Sequence, residues 1–390
     1  MKEKRKLKFD LFKEFFESEK SSGYVLVFLT IVSLLLANIF VGNDYVKFWH
    51  QYLDLSFSSI QLKLSIEHWI NDGLMVIFFL LVGLEIEREI YIGELSSIKK
   101  SALPAIAALG GMMIPALMHF AFNANTTTQS GFGIPMATDI AFTLGVLSLL
   151  GSKIPISLKI FLTALAIIDD LGAILIIAFF YTSDLSFAYL IGSLSVFALL
   201  LIFNRMKINK LSIYLLLGLV MWYLMLKSGV HATIAGVLLA FAIPFNKNDD
   251  ENISYKLQHY LHKPVAFLVL PIFALANTAI IIPTNIIESI TTNNSLGIFF
   301  GLSFGKLIGI FSFSFIAVKI GFGVLPKDLK WKLIAGAASL AGIGFTMSIF
   351  ITNLAFSDVE IINASKLIII IASVVSAISG LTILNLAAKK

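Results

Sequence analysis

Residues 166–175 read AIIDDLGAIL, with two adjacent acids, Asp169 and Asp170, inside an otherwise apolar run. Two close, poorly hydrated carboxylates titrate apart. A carboxylate that changes protonation near neutral pH can trade a proton for a hard cation, which oxygen ligands suit. Asp139 and Lys306 are further charges deep in apolar runs. Placing a charge at the centre of a membrane helix costs about 2.5–3.5 kcal/mol on insertion scales, so a retained one points to a use. Ion-paired glue between helices would need one acid per base. Here three acids share one lysine, and the surplus negative charge requires mobile counter-ions, either protons or metal cations.

The elements that hold these groups follow from composition. Of 390 residues, 58% are hydrophobic, 14% are charged and 34 are Phe. Soluble domains average roughly 25% charged residues, so this is a polytopic membrane protein. The chain has no cysteine, which excludes disulfides, iron–sulfur clusters and thiolate metal sites. A spanning helix needs about 20 largely apolar residues. Twelve such runs are predicted, at 24–41, 69–87, 102–122, 134–150, 155–181, 185–203, 211–227, 230–245, 264–282, 296–318, 333–355 and 362–386. The first follows a basic N-terminus and is taken as a retained helix, a cleaved signal peptide being the alternative.

The basic residues test this count. With twelve spans, all lie on the N-terminal side except Lys47, Lys63, Lys227 and Lys366 on the other face and Lys306 within a span. That is the positive-inside pattern, with both termini cytoplasmic. It also argues against nucleic acid as the partner of a net charge of +5. Asp169, Asp170 and Lys306 fall near the centres of their spans, the depth at which secondary transporters bind ions. Neighbours on a helix diverge by about 100°, so the two aspartates face different surroundings. The stretch 45–68 alternates apolar and polar residues, as an outer hairpin or a surface helix would.

The fourth run reads GIPMATDIAFTLGVLSLLG and the eleventh LIAGAASLAGIGFTMSIFI. Their glycines and threonines suit either interrupted helices lining a cavity or close packing through small residues. In interrupted helices, Asp139 would offset positive helix ends and Lys306 negative ones.

These motifs, with WINDGLMVIFFLLVGLEIERE, LKSGVHATIAGVLLAFAIP and LPIFALAN, closely resemble the NhaA family of bacterial sodium/proton antiporters over nearly the whole chain. The resemblance implies an all-α fold of twelve transmembrane helices in one integral membrane domain, 1–390. Inverted repeats would cover helices 3–5 and 10–12 (102–181 and 296–386), with helices 4 and 11 interrupted and crossed. Segments 24–87 and 230–282 would form the interface panel. It implies a transporter and not an enzyme: an electrogenic exchanger in the bacterial inner membrane that expels Na⁺ or Li⁺ and admits H⁺, without cofactor. Asp170 would be the cation ligand. Asp169 would bind the transported ions or pair with Lys306, and Thr138 and Asp139 would lie at the crossing.

Asp72 would line the access funnel, and Glu85, Arg88, Glu89, His231, His259 and His262 would serve the pH response. Members tend to be homodimers, with 45–68 a candidate contact. The chain departs from the family pattern at Gln258, where Glu is frequent, and at Leu307, where Pro is frequent. His259 and His262, three apart, would share a helix face, either as pH reporters or as solvated loop-edge residues. His50, His68 and His119 fall near the outer interface and carry no assigned role.

A sodium-coupled symporter of a small organic solute is the alternative, but it would require a larger polar pocket than this small, acidic set. A channel would show repeated filter segments, which the chain lacks. A purely structural protein leaves the buried acids unexplained.

Overall fold

The computed structural model describes residues 21–58, 60–182, 185–246 and 252–388. The basic stretch 1–20, Lys247, Lys389 and Lys390, used above for orientation, lie outside the described residues. Apolar runs bounded by polar loops form α1 (Ser21–Phe40), α2 (Ile66–Tyr91) and α3 (Ser101–Asn123). The fourth span is a 3₁₀ stretch, Gln129–Met136, followed by extended backbone and then α4 (Ile140–Ser148). Next come α5 (Ile156–Phe180), α6 (Phe187–Arg205) and α7 (Leu211–Ser228), then α8 (Ile234–Ala242), α9 (Ile253–Asn277) and α10 (Asn293–Lys319). The eleventh span is a pair, α11 (Trp331–Leu340) and α12 (Phe345–Ala355), bent by 48° at their junction. The last is α13 (Val359–Ala388). The chain is an all-α polytopic membrane protein.

Among the described residues, 10 helices are long and apolar enough to cross a membrane, or 11 with the bent pair. The eighth expected span, 230–245, departs from expectation. Only α8 is helical there, about 13 Å of rise against the ~30 Å of a bilayer core. Its ends explain why. Gly229 takes the left-handed conformation (φ +84°), and Ser228 gives its carbonyl to the N–H of Ser186 at 2.8 Å. Pro244 disfavours helical backbone at Ile243, which is extended. α9 differs in the other direction, beginning at Ile253 and not near 264. Its first turns, ISYKLQHYLHKP, are polar, but Asn252 caps them by accepting the N–H of Tyr255 at 2.9 Å. Pro264 lacks a donor, and the helix passes it by widening into a π turn, Val265–Val269. His259 and His262 therefore lie within a helix, not at a loop edge.

The segment after α1 is a short helix, Asn43–His50, followed by an antiparallel hairpin. In the hairpin β1 (Tyr52–Asp54) pairs with β2 (Lys63–Ser65) in the register Tyr52↔Ser65, Leu53↔Leu64 and Asp54↔Lys63. Hydrogen bonds from the Ser56 hydroxyl and N–H hold the Asp54 carboxyl below the usual carboxylate range.

Two compact units emerge, each discontinuous in sequence. The first takes residues 1–32, 99–169 and 282–390; the second takes 33–98 and 170–281. The division passes through α5 between Asp169 and Asp170. Within the first unit, α3 and α10 cross so closely that a Cβ on Gly309 would lie 2.1 Å from the Gly110 carbonyl oxygen. Only glycine permits that approach. Within the second, Leu84, Tyr214, Met221 and Leu239 anchor a core shared by α2, α7 and α8. The Trp222 indole donates to the Asp72 carbonyl at 2.6 Å.

Candidate functional site

The site is built where the two interrupted spans of the first unit meet. Asp139 is the N-cap of α4, with extended backbone (φ −82°, ψ 102°), and its Oδ1 accepts the Phe142 N–H at 2.9 Å. Its Oδ2 accepts the Thr346 N–H, in the first turn of α12, at 3.0 Å. The Thr346 hydroxyl donates to the same oxygen. One buried carboxylate thus satisfies orphan donors at the N-termini of both half-helices, where it also meets their positive partial charge.

The C-terminal end of α11 is answered by the fourth span. The Ile343 carbonyl accepts the Asp139 N–H at 2.7 Å, and the Leu340 carbonyl accepts the Thr143 hydroxyl at 3.3 Å. The Ala341 carbonyl lies 2.9 Å from the Thr138 hydroxyl. The hydrogen bonds at this negative end come from the fourth span and not from Lys306. Backbone and hydroxyl donors already sit at those carbonyls, so the ammonium is left to a carboxylate.

That carboxylate is Asp169. Lys306 Nζ donates to Asp169 Oδ2 at 2.6 Å, both side chains being fully buried. Thr138 Oγ1 lies 2.8 Å from the same oxygen. A hydroxyl carries one proton, so Thr138 serves either Asp169 or the Ala341 carbonyl at a given moment. Asp169 Oδ1 is buried and has no hydrogen-bond partner among the described residues. A buried ion pair repays its desolvation only when its remaining lone pairs are also satisfied. This one is half-satisfied, which leaves Asp169 able to exchange its partner. Asp139, by contrast, has both of its oxygens bonded. Lys306 stands directly after a π turn, Gly301–Gly305, and such turns concentrate at functional sites. Leu307, the next residue, is not a proline and retains its backbone N–H.

The first unit therefore brings together Thr138, Asp139, Asp169 and Lys306. Asp170 follows on α5, buried as well, at 3% exposure. The other expected residues lie in the second unit. Asp72 is part of a π turn, Trp69–Leu74, near the start of α2. His231 Nε2 lies 2.7 Å from the Tyr181 carbonyl, so that nitrogen carries the proton. Arg88 meets Glu89 at 3.3 Å, and Glu85 is hydrogen-bonded by Gln258. His259 is exposed and His262 half-buried, so the pair straddles the edge of a face instead of sharing one environment.

Four participants, Thr346, Ala341, Ile343 and Glu87, were given no role from the sequence. Thr346 holds Asp139, and its signal was available: a threonine just inside a helix that follows glycines. The carbonyls of Ala341 and Ile343 carry no side-chain signature. Glu87, buried on α2 and reached by the Ser254 hydroxyl at 3.4 Å, was masked by its charged neighbours in the motif.

The profile of a family described as Na⁺/H⁺ antiporter 1 matches residues 13–384. A protein of Cytophaga hutchinsonii named Na(+)/H(+) antiporter NhaA is 57% identical over 380 residues, covering 97% of this chain and 96% of its own length. One of the same name from Flavobacterium psychrophilum is 59% identical over 370 residues, covering 95% and 94%. Another from Dechloromonas aromatica is 59% identical over 367 residues, covering 93% and 92%.

Proposed function

The chain belongs to the Na⁺/H⁺ antiporter 1 family, and from that premise we propose how its residues carry out the exchange. It is a secondary transporter that moves Na⁺ against H⁺ across a membrane. The cycle alternates access to the buried acids. Opened to the cytoplasm, deprotonated Asp170 takes Na⁺ or Li⁺, while Asp169 leaves Lys306 to complete the oxygen shell with Thr138. After the protein rearranges, protons from outside bind both carboxylates and displace the cation, the protonated site returns inward, and Asp169 regains Lys306 once it releases its proton. Asp139 anchors the crossing. If both acids cycle protons against one Na⁺, each turnover moves net charge, and membrane voltage drives export.

One observation carries this reading: Asp169 is fully buried yet spends one oxygen on Lys306 and Thr138 and leaves the other unbonded. In the same reading Asp72 lines the entry path, and Glu85, Arg88, Glu89, His231, His259 and His262 tune the response to cytoplasmic pH. Segments 102–181 and 296–386 form the moving core against a panel of 24–87 and 230–282. The protein resides in the bacterial inner membrane with both termini cytoplasmic. It pairs as a homodimer through the hairpin, whose Tyr52 and Phe57 are exposed by 71% and 79%.

Purified protein in liposomes with an internal pH dye tests the exchange. Proton movement is expected on addition of Na⁺ or Li⁺ but not K⁺, altered by an imposed voltage. Asp170→Asn is expected to abolish it. Full activity in that variant would overturn the assignment.

A further inference from the structure

A second buried polar group lies in the first unit, away from the acids. His119 on α3 is fully buried, as is Asn123 one turn on. His119 Nε2 lies 3.1 Å from Asn294 Oδ1 on α10, and Asn294 Nδ2 donates to Ser365 Oγ on α13 at 2.8 Å. The protons of this chain can be placed one by one. The Ser365 hydroxyl donates to the Ile361 carbonyl at 2.7 Å, so its oxygen must accept from Asn294. That fixes the Asn294 amide with its nitrogen on Ser365 and its oxygen on His119. An oxygen acceptor opposite Nε2 requires that Nε2 carry the proton. Asn123 Nδ2 already donates to the His119 and Asn293 carbonyls, at 2.9 and 3.1 Å. His119 is therefore the neutral Nε2–H tautomer. Its Nδ1 is buried and has no hydrogen-bond partner among the described residues.

The ring is also a wedge. A Cβ on Gly131 would lie 3.0 Å from its Cε1 and Nε2, and one on Gly297 would lie 2.9 Å from its Cδ2. Gly131 belongs to the 3₁₀ stretch that runs into Thr138 and Asp139; Gly297 belongs to the helix that carries Lys306. Gly111 on α3 packs beside the Lys306 side chain, so His119 sits two turns, about 12 Å, from that level. By the charge pattern of the loops, it sits toward the face opposite the N-terminus.

We propose that His119 is a positioning residue of the exchange reaction. Its neutral ring locks the outer limb of the interrupted fourth span to α10, and Nδ1 is the atom through which protons on the outer face release that lock. A second N–H on the ring would be buried without an acceptor, so protonation favours a displaced ring. The limb it holds bears Thr138, and the helix it holds bears Lys306, the two donors to Asp169. The groups facing it cannot stand in for it. The stretch Gln129–Met136 holds no titratable residue. From α10 it meets Asn294 and Gly297, and Ser365 on α13 is linked to it through Asn294. The charge nearest that link in sequence is the buried Lys366, next to Ser365. The inference rests on the exchange reading above and adds to it a site of proton action distinct from the transported-ion site.

Right-side-out and everted membrane vesicles test it, with sodium flux measured at saturating Na⁺ while pH is varied on one face at a time. Tracer Na⁺/Na⁺ exchange with saturating Na⁺ on both faces removes protons both as counter-ion and as competitors at the carboxylates, so a remaining pH dependence reports another group. In the unmodified protein the flux is expected to fall with acid on the outer face, through a single protonation step. His119→Gln keeps a donor at the Nε2 position without a titratable atom, and is expected to be active and flat with outer pH. His119→Ala strands the Asn294 oxygen and is expected to be slow at every pH. Asn294→Asp places a carboxylate on the ring and is expected to move the transition up by about one pH unit or more. An outer-pH profile unchanged in His119→Gln overturns the proposal, as does a dependence that lies on the inner face. Should His119→Gln fail to fold, an unmoved transition in Asn294→Asp overturns it equally. Absence of sodium-dependent exchange in the unmodified protein overturns the exchange reading itself, and this inference with it.

Discussion

At the scale of single residues, the buried acids divide by how completely they are bonded. Asp139 takes the N–H groups of Phe142 and Thr346 and the Thr346 hydroxyl, and has no reason to change partners. Asp169 depends on Lys306. Removing one member of a buried ion pair costs about 3–5 kcal/mol, because the other charge is stranded. Lys306→Ala should therefore lower the heat-denaturation midpoint of the purified protein sharply. The double variant Asp169→Asn, Lys306→Ala should recover much of the loss. Purely additive losses in that double-mutant cycle would show that the pair contributes no coupling. The acids and the lysine were legible in the sequence because charges in apolar runs are costly and stand out. Their partners were less so. Thr346 looks like any membrane threonine, and the carbonyls of Ala341 and Ile343 belong to a backbone break that residue types only permit. The sequence likewise cannot reveal that backbone and hydroxyl donors of the fourth span reach the end of α11.

At the scale of elements, apolar run length located nearly every helix, and local chemistry decided where each stops. The eighth run is apolar throughout, yet Gly229 and Pro244 confine its helix to Ile234–Ala242. The ninth helix extends into a polar segment that hydropathy alone excludes, because Asn252 caps it. The π turns at 69–74, 265–269 and 301–305 left no mark in composition, since they change hydrogen-bond partners and not residue polarity. Helix contacts were equally hidden. The crossing of α3 and α10 rests on Gly110 and Gly309, whose backbones leave no room for a side chain. A flexible neighbour could yield to an added methyl, but the Gly110 carbonyl belongs to a rigid helix. Gly309→Val should push the helices apart and cost about 1–3 kcal/mol or more by overpacking, with Lys306 displaced one turn away. The thermal midpoint and the transport rate should fall together. A variant with unchanged thermal midpoint would mean that the crossing is looser than its geometry indicates.

At the scale of the whole molecule, fold class and family were legible from composition and long motifs, but the division into two units was not. Each unit is assembled from distant segments, and the boundary falls inside α5, between the two aspartates of one motif. Run lengths and motifs read along the chain and carry no information about which distant segments pack together. That boundary bears on stability. A cation that binds the native protein at this point of α5 and not the unfolded chain adds RT ln(1 + [L]/Kd), about 2.7 kcal/mol when the ion is at 100 times its Kd. Protons compete for the same carboxylates, so the sign with pH is fixed: stabilisation by Na⁺ should grow as pH rises and vanish when acid keeps the acids protonated. Heating the purified protein in detergent at matched ionic strength, with Na⁺ against choline, separates this effect from general screening. The midpoint should rise with Na⁺ at alkaline pH, stay level at acid pH, and lose its Na⁺ response in Asp170→Asn. Equal stabilisation by Na⁺ at both pH values, or its survival in Asp170→Asn, would place the cation elsewhere than on the acids of α5.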